Sequence, residues 1–344
     1  MHIEGLENMD DQKHGVAVQA RQVPFPTSIS KEALAVLERM VREDGVPLNA
    51  LHSMPSPDDR DGWMKIKAAV DMQYSAAVAR FAGSLHSSAD TIKVGEATIH
   101  VATPHKTFDP TRAYLDLHGG ALVFGGGEAC LAGSRMQADQ HGVLCYGVDY
   151  RMPPEHPYPA ALDDCVAAYR YILGRHAPDD IVVGGRSAGG NLAAALMLRA
   201  RDEGLPMPSG LVLLSPQADL TESGDSFETN RMVDVVLPGS LMSSNLLYAN
   251  GADLKHPYVS PLFGDLKGLP ATFLQTGTRD LFLSNTVRMH RALIAAGVKA
   301  ELHVFEAMPH GGFMGGTPED RELQEAVSRF VQDRWACTIV HAGE

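Results

Sequence analysis

The spacing of hydrophobic residues changes character along this chain of 344 residues. In two N-terminal stretches, residues 29–43 and 61–85, apolar residues recur at helical intervals, which predicts two amphipathic helices. From about residue 92 onwards, short apolar runs typical of strands alternate with windows that have helical spacing. Because strands and helices alternate in this way, the sequence predicts an α/β fold, doubly wound around a mostly parallel sheet.

The first strand-like run, "TIKVGEATIHVA" at residues 91–102, alternates apolar and polar residues and is predicted as one half-exposed strand. The later runs are more continuously apolar and predict buried strands: "AYLDLHGG", "GVLCYGVDY", "DIVVGG", "LVLLSP", "ATFLQTGT" and "AELHVFE". Residues 219–262 break the alternation. We interpret them as an excursion that covers the upper edge of the sheet.

One serine occupies the junction between a predicted strand and a predicted helix. The stretch "IVVGGRSAGGNLAAALM", residues 181–197, places Ser187 in a Gly-x-Ser-x-Gly frame. This frame is typical of a strained turn that exposes the serine hydroxyl above the sheet, and the small flanking residues let the strand and helix backbones approach closely. A catalytic role for Ser187 is favoured over a structural one because glycines placed here weaken both elements.

A nucleophilic serine needs a base, and the base needs an acid to orient it. Asp280 follows one predicted strand and His310 follows the last, so they occur in the chain order expected for this fold after Ser187. Asp219 is the competing acid at the preceding strand end, although a carboxylate there is more often a loop cap. Glu306 lies too close to His310 in sequence to be favoured.

Acyl transfer also needs N–H donors for an oxyanion. "YLDLHGGALVFGGG" places Gly119, Gly120 and Ala121 just after a strand, where small residues let N–H groups face a substrate. An ordinary glycine turn and a nucleotide-binding loop are the alternatives. The nucleotide loop is disfavoured because no Gly-Lys-Ser/Thr follows and the glycine spacing does not match the dinucleotide pattern.

Charge and cysteine content restrict the partners and the compartment. Against 29 Lys and Arg the chain has 42 Asp and Glu, a net charge of −13, which disfavours nucleic acid and anionic membranes as partners. No apolar run reaches the length of a membrane span, and the N-terminus is polar and acidic. The four cysteines lack metal-site spacing, so we expect free thiols and a cytoplasmic protein.

Several motifs together resemble those of the hormone-sensitive-lipase-like carboxylesterases of the α/β-hydrolase fold. They are HGGA at 118–121, "DYRMPPEHPYPAALDD" at 149–164, "GGRSAGGNLA" at 184–193, SPLF at 260–263 and MPHGGF at 308–313. The resemblance covers about residues 90–335. It implies a catalytic core over 91–219 and 263–344, with a helical cap formed by residues 1–90 and 220–262.

The same resemblance implies roles for individual residues. The catalytic residues are Ser187 as nucleophile, Asp280 as acid and His310 as base. The oxyanion hole consists of the N–H groups of Gly120, Ala121 and Ala188, with Gly119 supporting the loop. His118 is expected to hold this loop in place. No metal or organic cofactor is implied.

The sequence departs from the family pattern at three places. Ala121 replaces a glycine, and Leu283 and Ser284 stand where a second acid often follows the catalytic one. Arg186 stands beside the nucleophile where Asp or Thr is usual; we favour its pairing with a carboxylate such as Asp149 over a role as a substrate anchor.

Other functions with the same residues remain open at this stage. Lactone hydrolysis and deacetylation use the same triad, and some proteins that resemble this family are non-catalytic receptors for small molecules. By analogy with the family, the last strand and the helix near the C-terminus could form the edge of a homodimer.

Overall fold

The computed structural model describes residues 15–16, 18–51, 53–237 and 239–341. Two predictions concern parts that lie outside the described residues. They are the polar N-terminus, at residues 1–14, and the free thiol of Cys337. The strands are β1 Ser88–Val94, β2 Ala97–Thr103, β3 Ala113–Leu117, β4 Leu144–Asp149, β5 Ile181–Arg186, β6 Gly210–Leu214, β7 Thr272–Gly277 and β8 Ala300–Phe305. The helices are α1 Lys31–Arg39, α2 Arg60–Phe81, α3 Glu128–His141, α4 Ala160–Leu173, α5 Ala188–Asp202, α6 Ser226–Thr229, α7 Met242–Ala249, α8 Leu283–Ala295 and α9 Pro318–His341.

The strands form one eight-stranded sheet in the order β1-β2-β4-β3-β5-β6-β7-β8. β1 and β2 pair in antiparallel fashion, β2 is antiparallel to β4, and all later pairs are parallel. The predicted fold class is therefore confirmed, with one correction. The run at 91–102 is a hairpin of two strands rather than one strand, because Gly95 and Glu96 form a two-residue turn within it.

Side chains of the central strands alternate between two hydrophobic cores. Leu115 and Val183 belong to the core on the face that α4, α5 and α8 cover, whereas Tyr114 and Val182 belong to the core beneath α3 and α9. Both faces of β3 and β5 are therefore buried, as the continuously apolar runs predict. This double cover holds the carboxyl ends of β3, β5, β7 and β8 in a fixed arrangement.

The segments outside the sheet contact the loops at those carboxyl ends. Ser30 caps α1, accepting a hydrogen bond from the N–H of Ala33, and the buried face of α1 packs with Met308 and Phe313. In α2, buried Trp63 packs with Phe124. The predicted boundary at residue 90 lies inside β1. Among the described helices, none is both long enough and apolar enough to cross a membrane.

Candidate active site

Ser187 lies in a sharp turn between β5 and α5. Its φ of 56° and ψ of −119° are unusual for a residue with a side chain, and the strain of such a conformation is typical of functional sites. The N–H of Ser187 donates to the carbonyl of Leu214 at 2.9 Å. A Cβ on Gly185 would overlap the backbone of Gly189, and a Cβ on Gly189 would overlap the carbonyl of Leu117. Gly185 is therefore required by the close approach of β5 and α5, and Gly189 by the close approach of α5 to the end of β3.

The structure brings Ser187, His310 and Asp280 into one hydrogen-bonded chain. His310 Nε2 lies 2.9 Å from Ser187 Oγ, and His310 Nδ1 lies 3.0 Å from Asp280 Oδ1. All three side chains are buried, with relative exposures of 8% or less. A serine bonded to an imidazole that is bonded to a carboxylate can act as an activated nucleophile.

Asp280 is held by donors on both oxygens. Besides His310, the N–H of Phe282 donates to Oδ1 at 2.8 Å and the hydroxyl of Thr276 donates to Oδ2 at 2.8 Å. Burial by itself raises the pKa of Asp280. The adjacent His310 and the hydrogen bonds outweigh this effect, and the pKa lies below the ordinary value for an aspartate. Asp280 is therefore ionised at neutral pH.

The loop after β3 has a strained backbone beside the serine. Ala121 and Leu122 have φ of 52° and 64°, and the Gly120 carbonyl accepts hydrogen bonds from the N–H groups of Val123 and Phe124. Within the described residues, the N–H groups of Gly120, Ala121 and Ala188 have no hydrogen-bond acceptor. This arrangement leaves three donors, two in the loop and one at the start of α5, for a negatively charged oxygen.

His118 supports this loop from behind. Its Nδ1 lies 2.8 Å from the carbonyl oxygen of Gly119, and its ring stacks on Tyr150 with the ring centres 4.0 Å apart. Burial lowers the pKa of His118, against the opposing effect of the Gly119 hydrogen bond. A neutral ring therefore donates to Gly119.

The prediction that Arg186 pairs with Asp149 is wrong. Asp149 accepts a hydrogen bond from the N–H of Gly127 and faces His100, whereas Arg186 Nη1 donates to the carbonyl of Gly311 at 2.6 Å. Burial lowers the pKa of Arg186, and the nearby carboxylates of Asp320 and Asp116 oppose that shift. Arg186 thus connects the turn that carries Ser187 to the residue after His310.

Asp219, the competing candidate for the acid, is hydrogen-bonded to residues outside the triad. Asp219 Oδ1 accepts from the N–H of Thr221 at 2.8 Å, and Oδ2 accepts from Arg288 Nη1 at 2.7 Å and from the hydroxyl of Ser223. These contacts match the loop-capping role that the sequence favours for Asp219.

Sequence reasoning missed Asp234, which is completely buried next to the triad. Its Oδ2 accepts a hydrogen bond from the N–H of Leu281 at 2.8 Å. At the places where the family often has a second acid, Leu283 is apolar and Ser284 exchanges hydrogen bonds with Ser226. Asp234 lies 46 positions before Asp280 in an irregular segment, and no local motif marks it.

Among the described residues, one cluster has the atom types of a metal site. Ligand atoms of His118, Cys130 and Asp149 all lie within 4.8 Å of one another. Burial raises the pKa of the Cys130 thiol well above its ordinary value, which opposes metal binding because a cysteine binds a metal as the thiolate.

A cavity of about 600 Å³ opens onto the Ser187 hydroxyl. Its floor contains Ser187, His310 and the loop from His118 to Ala121, and the remaining lining is largely apolar. Many of the apolar lining residues come from the segments that precede β1 and follow β6, and include Val70, Tyr74, Ala77, Phe81, Val236, Leu237 and Leu241; Phe124, Ala129 and Met136 line it from the loop after β3 and from α3. The arrangement therefore places a hydrophobic substrate next to a nucleophile and a set of N–H donors.

Comparisons with known proteins agree with this geometry. The alpha/beta hydrolase fold family matches residues 114–314. The chain is 32% identical over 247 residues to an acetyl-hydrolase of Streptomyces hygroscopicus, covering 71% of this chain and 82% of that protein. It is 35% identical over 226 residues to an esterase of Acinetobacter venetianus, covering 64% of this chain and 75% of that protein.

Solved structures extend the similarity over most of the chain. The crystal structure of an esterase called E25 superposes with a TM-score of 0.85 at 33% identity, covering 92% of this chain and 98% of that one. An esterase from the bacterial hormone-sensitive lipase family gives a TM-score of 0.74 at 30% identity, covering 89% and 99%.

Proposed function

This chain belongs to the alpha/beta hydrolase fold family, and from that premise we propose that it is a serine carboxylesterase acting on short to medium carboxylic esters. The predicted resemblance to hormone-sensitive-lipase-like esterases is confirmed. The observation that carries the proposal is the continuous hydrogen-bonded chain from Ser187 through His310 to Asp280, at the floor of an apolar cavity.

In the acylation step Ser187 Oγ attacks the ester carbonyl while His310 Nε2 takes the hydroxyl proton. The positive charge that forms on the imidazole is stabilised by the ionised Asp280 at 3.0 Å. The N–H groups of Gly120, Ala121 and Ala188 donate to the oxyanion of the tetrahedral intermediate. Collapse of this intermediate breaks the ester bond, and the alcohol leaves with the proton from His310.

In the deacylation step a water molecule takes the place of the alcohol. His310 removes its proton, the hydroxide attacks the acyl-serine carbonyl, and the same N–H groups receive the second oxyanion. Ser187 leaves with the proton from His310, which regenerates the enzyme and releases the carboxylic acid. The side chains and N–H groups named here supply each proton transfer and each charge stabilisation.

We propose that residues up to 90 and residues 220–262 act as a cap that determines substrate range. Support comes from the cavity lining, since Tyr74 and Phe81 of α2 and Leu237 and Leu241 of the second segment all face it. A cavity of about 600 Å³ is of the size that binds small molecules. Lactone hydrolysis and deacetylation share the same steps, and the similarity to an acetyl-hydrolase keeps short acyl groups among the expected substrates.

A non-catalytic receptor is the alternative from another class. The complete triad argues against it, because a site used for binding alone has no need of an aligned serine, imidazole and carboxylate.

The cytoplasmic location, the homodimer and the lack of a nucleic-acid partner stay predictions. The cytoplasmic location is supported by three buried cysteines that form no disulfide, Cys130, Cys145 and Cys165. The homodimer is supported by the position of β8 at the edge of the sheet. Light scattering on the purified protein tests for the dimer.

The proposal is tested with p-nitrophenyl esters from acetyl to dodecanoyl. We expect turnover of the shorter esters, a decline at the longest, and a covalent fluorophosphonate adduct located on Ser187 by mass spectrometry. A folded protein that binds esters without hydrolysing them, and that forms no adduct, would identify the cavity as a receptor site.

Narrowing the cavity should shift the preferred acyl length. Ala77 lines the cavity from α2, whereas its neighbour Ala76 does not. For Ala77→Trp we expect kcat/KM for the octanoyl ester to fall at least about tenfold relative to the acetyl ester, because each methylene excluded from apolar contact loses about 0.8 kcal/mol. Ala76→Trp is the matched control and should leave the ratio unchanged. Equal effects of the two variants would show that α2 does not limit the acyl site.

A further inference from the structure

Asp234 belongs to the segment between β6 and β7, but its side chain contacts the loops that carry both the acid and the base of the triad. Its Oδ2 accepts from the N–H of Leu281, the residue after Asp280, at 2.8 Å. Its Oδ1 faces the N–H of His310 itself at 3.4 Å. One carboxylate therefore connects the loop after β7 with the loop after β8.

The position of Asp234 is itself determined by its neighbours. The N–H of Val236 donates to Oδ1 at 2.9 Å and that of Leu237 at 3.3 Å, and Asn49 Nδ2 donates to the Asp234 carbonyl at 3.0 Å. The neighbouring Asn230 reinforces the link, since its Nδ2 donates to the Asp280 carbonyl at 2.8 Å. The carboxylate is thus a fixed point to which the two triad loops are bonded.

The charge on Asp234 interacts mainly with the triad. Within the described part of the chain, no lysine or arginine forms an ion pair with Asp234. The titratable groups that face it are Asp280 and His310, and Asn49, Val236, Leu237 and Leu281 are uncharged. Burial raises the pKa of Asp234 to about 6, the negative charge of Asp280 acts in the same direction, and His310 opposes it. Above that pH, Asp234 and Asp280 both carry a negative charge that acts on His310.

We propose that Asp234 is a positioning residue for the triad, holding Asp280 and His310 at their working separation and adding a second negative charge next to the imidazolium that forms during catalysis. The inference rests on the proposed esterase function. Both effects belong to one group, because the carboxylate that bonds the two loops accepts from the backbone N–H of His310 and is close enough to interact electrostatically with its side chain.

The test compares Asp234→Asn with the wild type on p-nitrophenyl butyrate. We expect kcat to fall about 10- to 100-fold with KM changed less than about threefold, since the asparagine oxygen can still accept from the N–H groups of the cavity-lining Val236 and Leu237. The acid limb of the kcat/KM–pH profile should move to lower pH by about half a unit or more, because the imidazolium loses a neighbouring negative charge. A residue that only stabilises the fold would change the melting temperature without moving this limb.

Asp219→Asn is the matched control, since Asp219 is also a buried carboxylate between β6 and β7 but contacts Thr221, Ser223 and Arg288 rather than the triad loops. It should keep the wild-type pH profile. If Asp234→Asn does not fold, Asp234→Glu decides the question: its retained charge should keep the acid limb in place while kcat falls.

The outcomes separate failure of this inference from failure of the proposed function. Wild-type turnover and fluorophosphonate labelling of Ser187, combined with an Asp234→Asn variant that matches the wild type in kcat and pH profile, would overturn the role of Asp234 alone. Movement of the acid limb in Asp234→Glu would overturn that role as well. A wild type that neither hydrolyses esters nor labels at Ser187 would overturn the esterase function and the role of Asp234 with it.

Discussion

Replacing Ser187 by alanine is expected to lower kcat for p-nitrophenyl butyrate by about 10⁴- to 10⁶-fold, leaving only the catalysis that the oxyanion donors provide. In the proposed mechanism the Ser187 hydroxyl forms the acyl-enzyme, and within the described residues no other side chain is hydrogen-bonded to His310 Nε2. KM is expected to change little because the cavity wall is otherwise intact. The measurement is steady-state hydrolysis together with fluorophosphonate labelling, which should vanish in the variant.

Ser209→Ala is the control for this experiment. Ser209 precedes β6 at the opposite end of the sheet, where its hydroxyl donates to the carbonyl of Ile181 at 2.8 Å. It therefore tests whether the loss of a partly buried serine hydroxyl affects activity through stability alone. Activity of Ser187→Ala within about tenfold of the wild type would rule out the acyl-enzyme mechanism.

Much of the site could be predicted because its chemistry depends on residues that are adjacent in sequence. The turn at Ser187 needs glycine at 185 because β5 and α5 approach closely, and at 189 because α5 begins against the end of β3; both requirements fall on the same short stretch of sequence and therefore leave a motif. The same is true of the glycine-rich loop after β3. The order of strands along the chain then places Asp280 and His310 at neighbouring strand ends.

The missed features depend on contacts between distant parts of the chain. Arg186 bonds to the carbonyl of Gly311, 125 positions away, and Asp234 bonds to residues 47 and 76 positions away. A backbone carbonyl can be supplied by any residue type and an N–H by any residue except proline, so these partners leave no trace in the pattern of side chains. Only tertiary packing reveals them.

The hairpin of β1 and β2 was missed for a different reason. Apolar residues stand at even positions before the turn (Ile92, Val94) and at odd positions after it (Ala97, Ile99, Val101), so the two-residue periodicity changes phase at Gly95 and Glu96, and one strand over the whole run overlooked that change. The signal was present in the glycine, whose φ of 60° suits a tight turn between antiparallel strands. The change of phase and the glycine mark the same turn.

Asp280→Asn is expected to lower kcat by about 10⁴-fold while the protein stays folded. The asparagine oxygen can still accept from the N–H of Phe282, and its amide can donate to the Thr276 hydroxyl in place of the bond that Thr276 now makes. The neutral amide, however, has no negative charge with which to stabilise the positive imidazole that forms during catalysis. Hydrolysis of p-nitrophenyl butyrate and far-UV circular dichroism measure the two expectations separately.

The same substitution decides between the two acids that the sequence leaves in competition. If Asp219 were the catalytic acid, Asp219→Asn would abolish activity and Asp280→Asn would retain it. The structure favours the opposite result, because Asp219 is bonded to Arg288, Thr221 and Ser223, whereas Asp280 lies 3.0 Å from His310 Nδ1.

Since the pKa of Asp280 is lowered in the folded protein, its charge stabilises the fold at neutral pH, and that stabilisation is lost as the pH falls through the folded pKa. The wild type should therefore lose more thermal stability on acidification than Asp280→Asn does, which links the catalytic assignment of this carboxylate to a measurement that does not depend on activity.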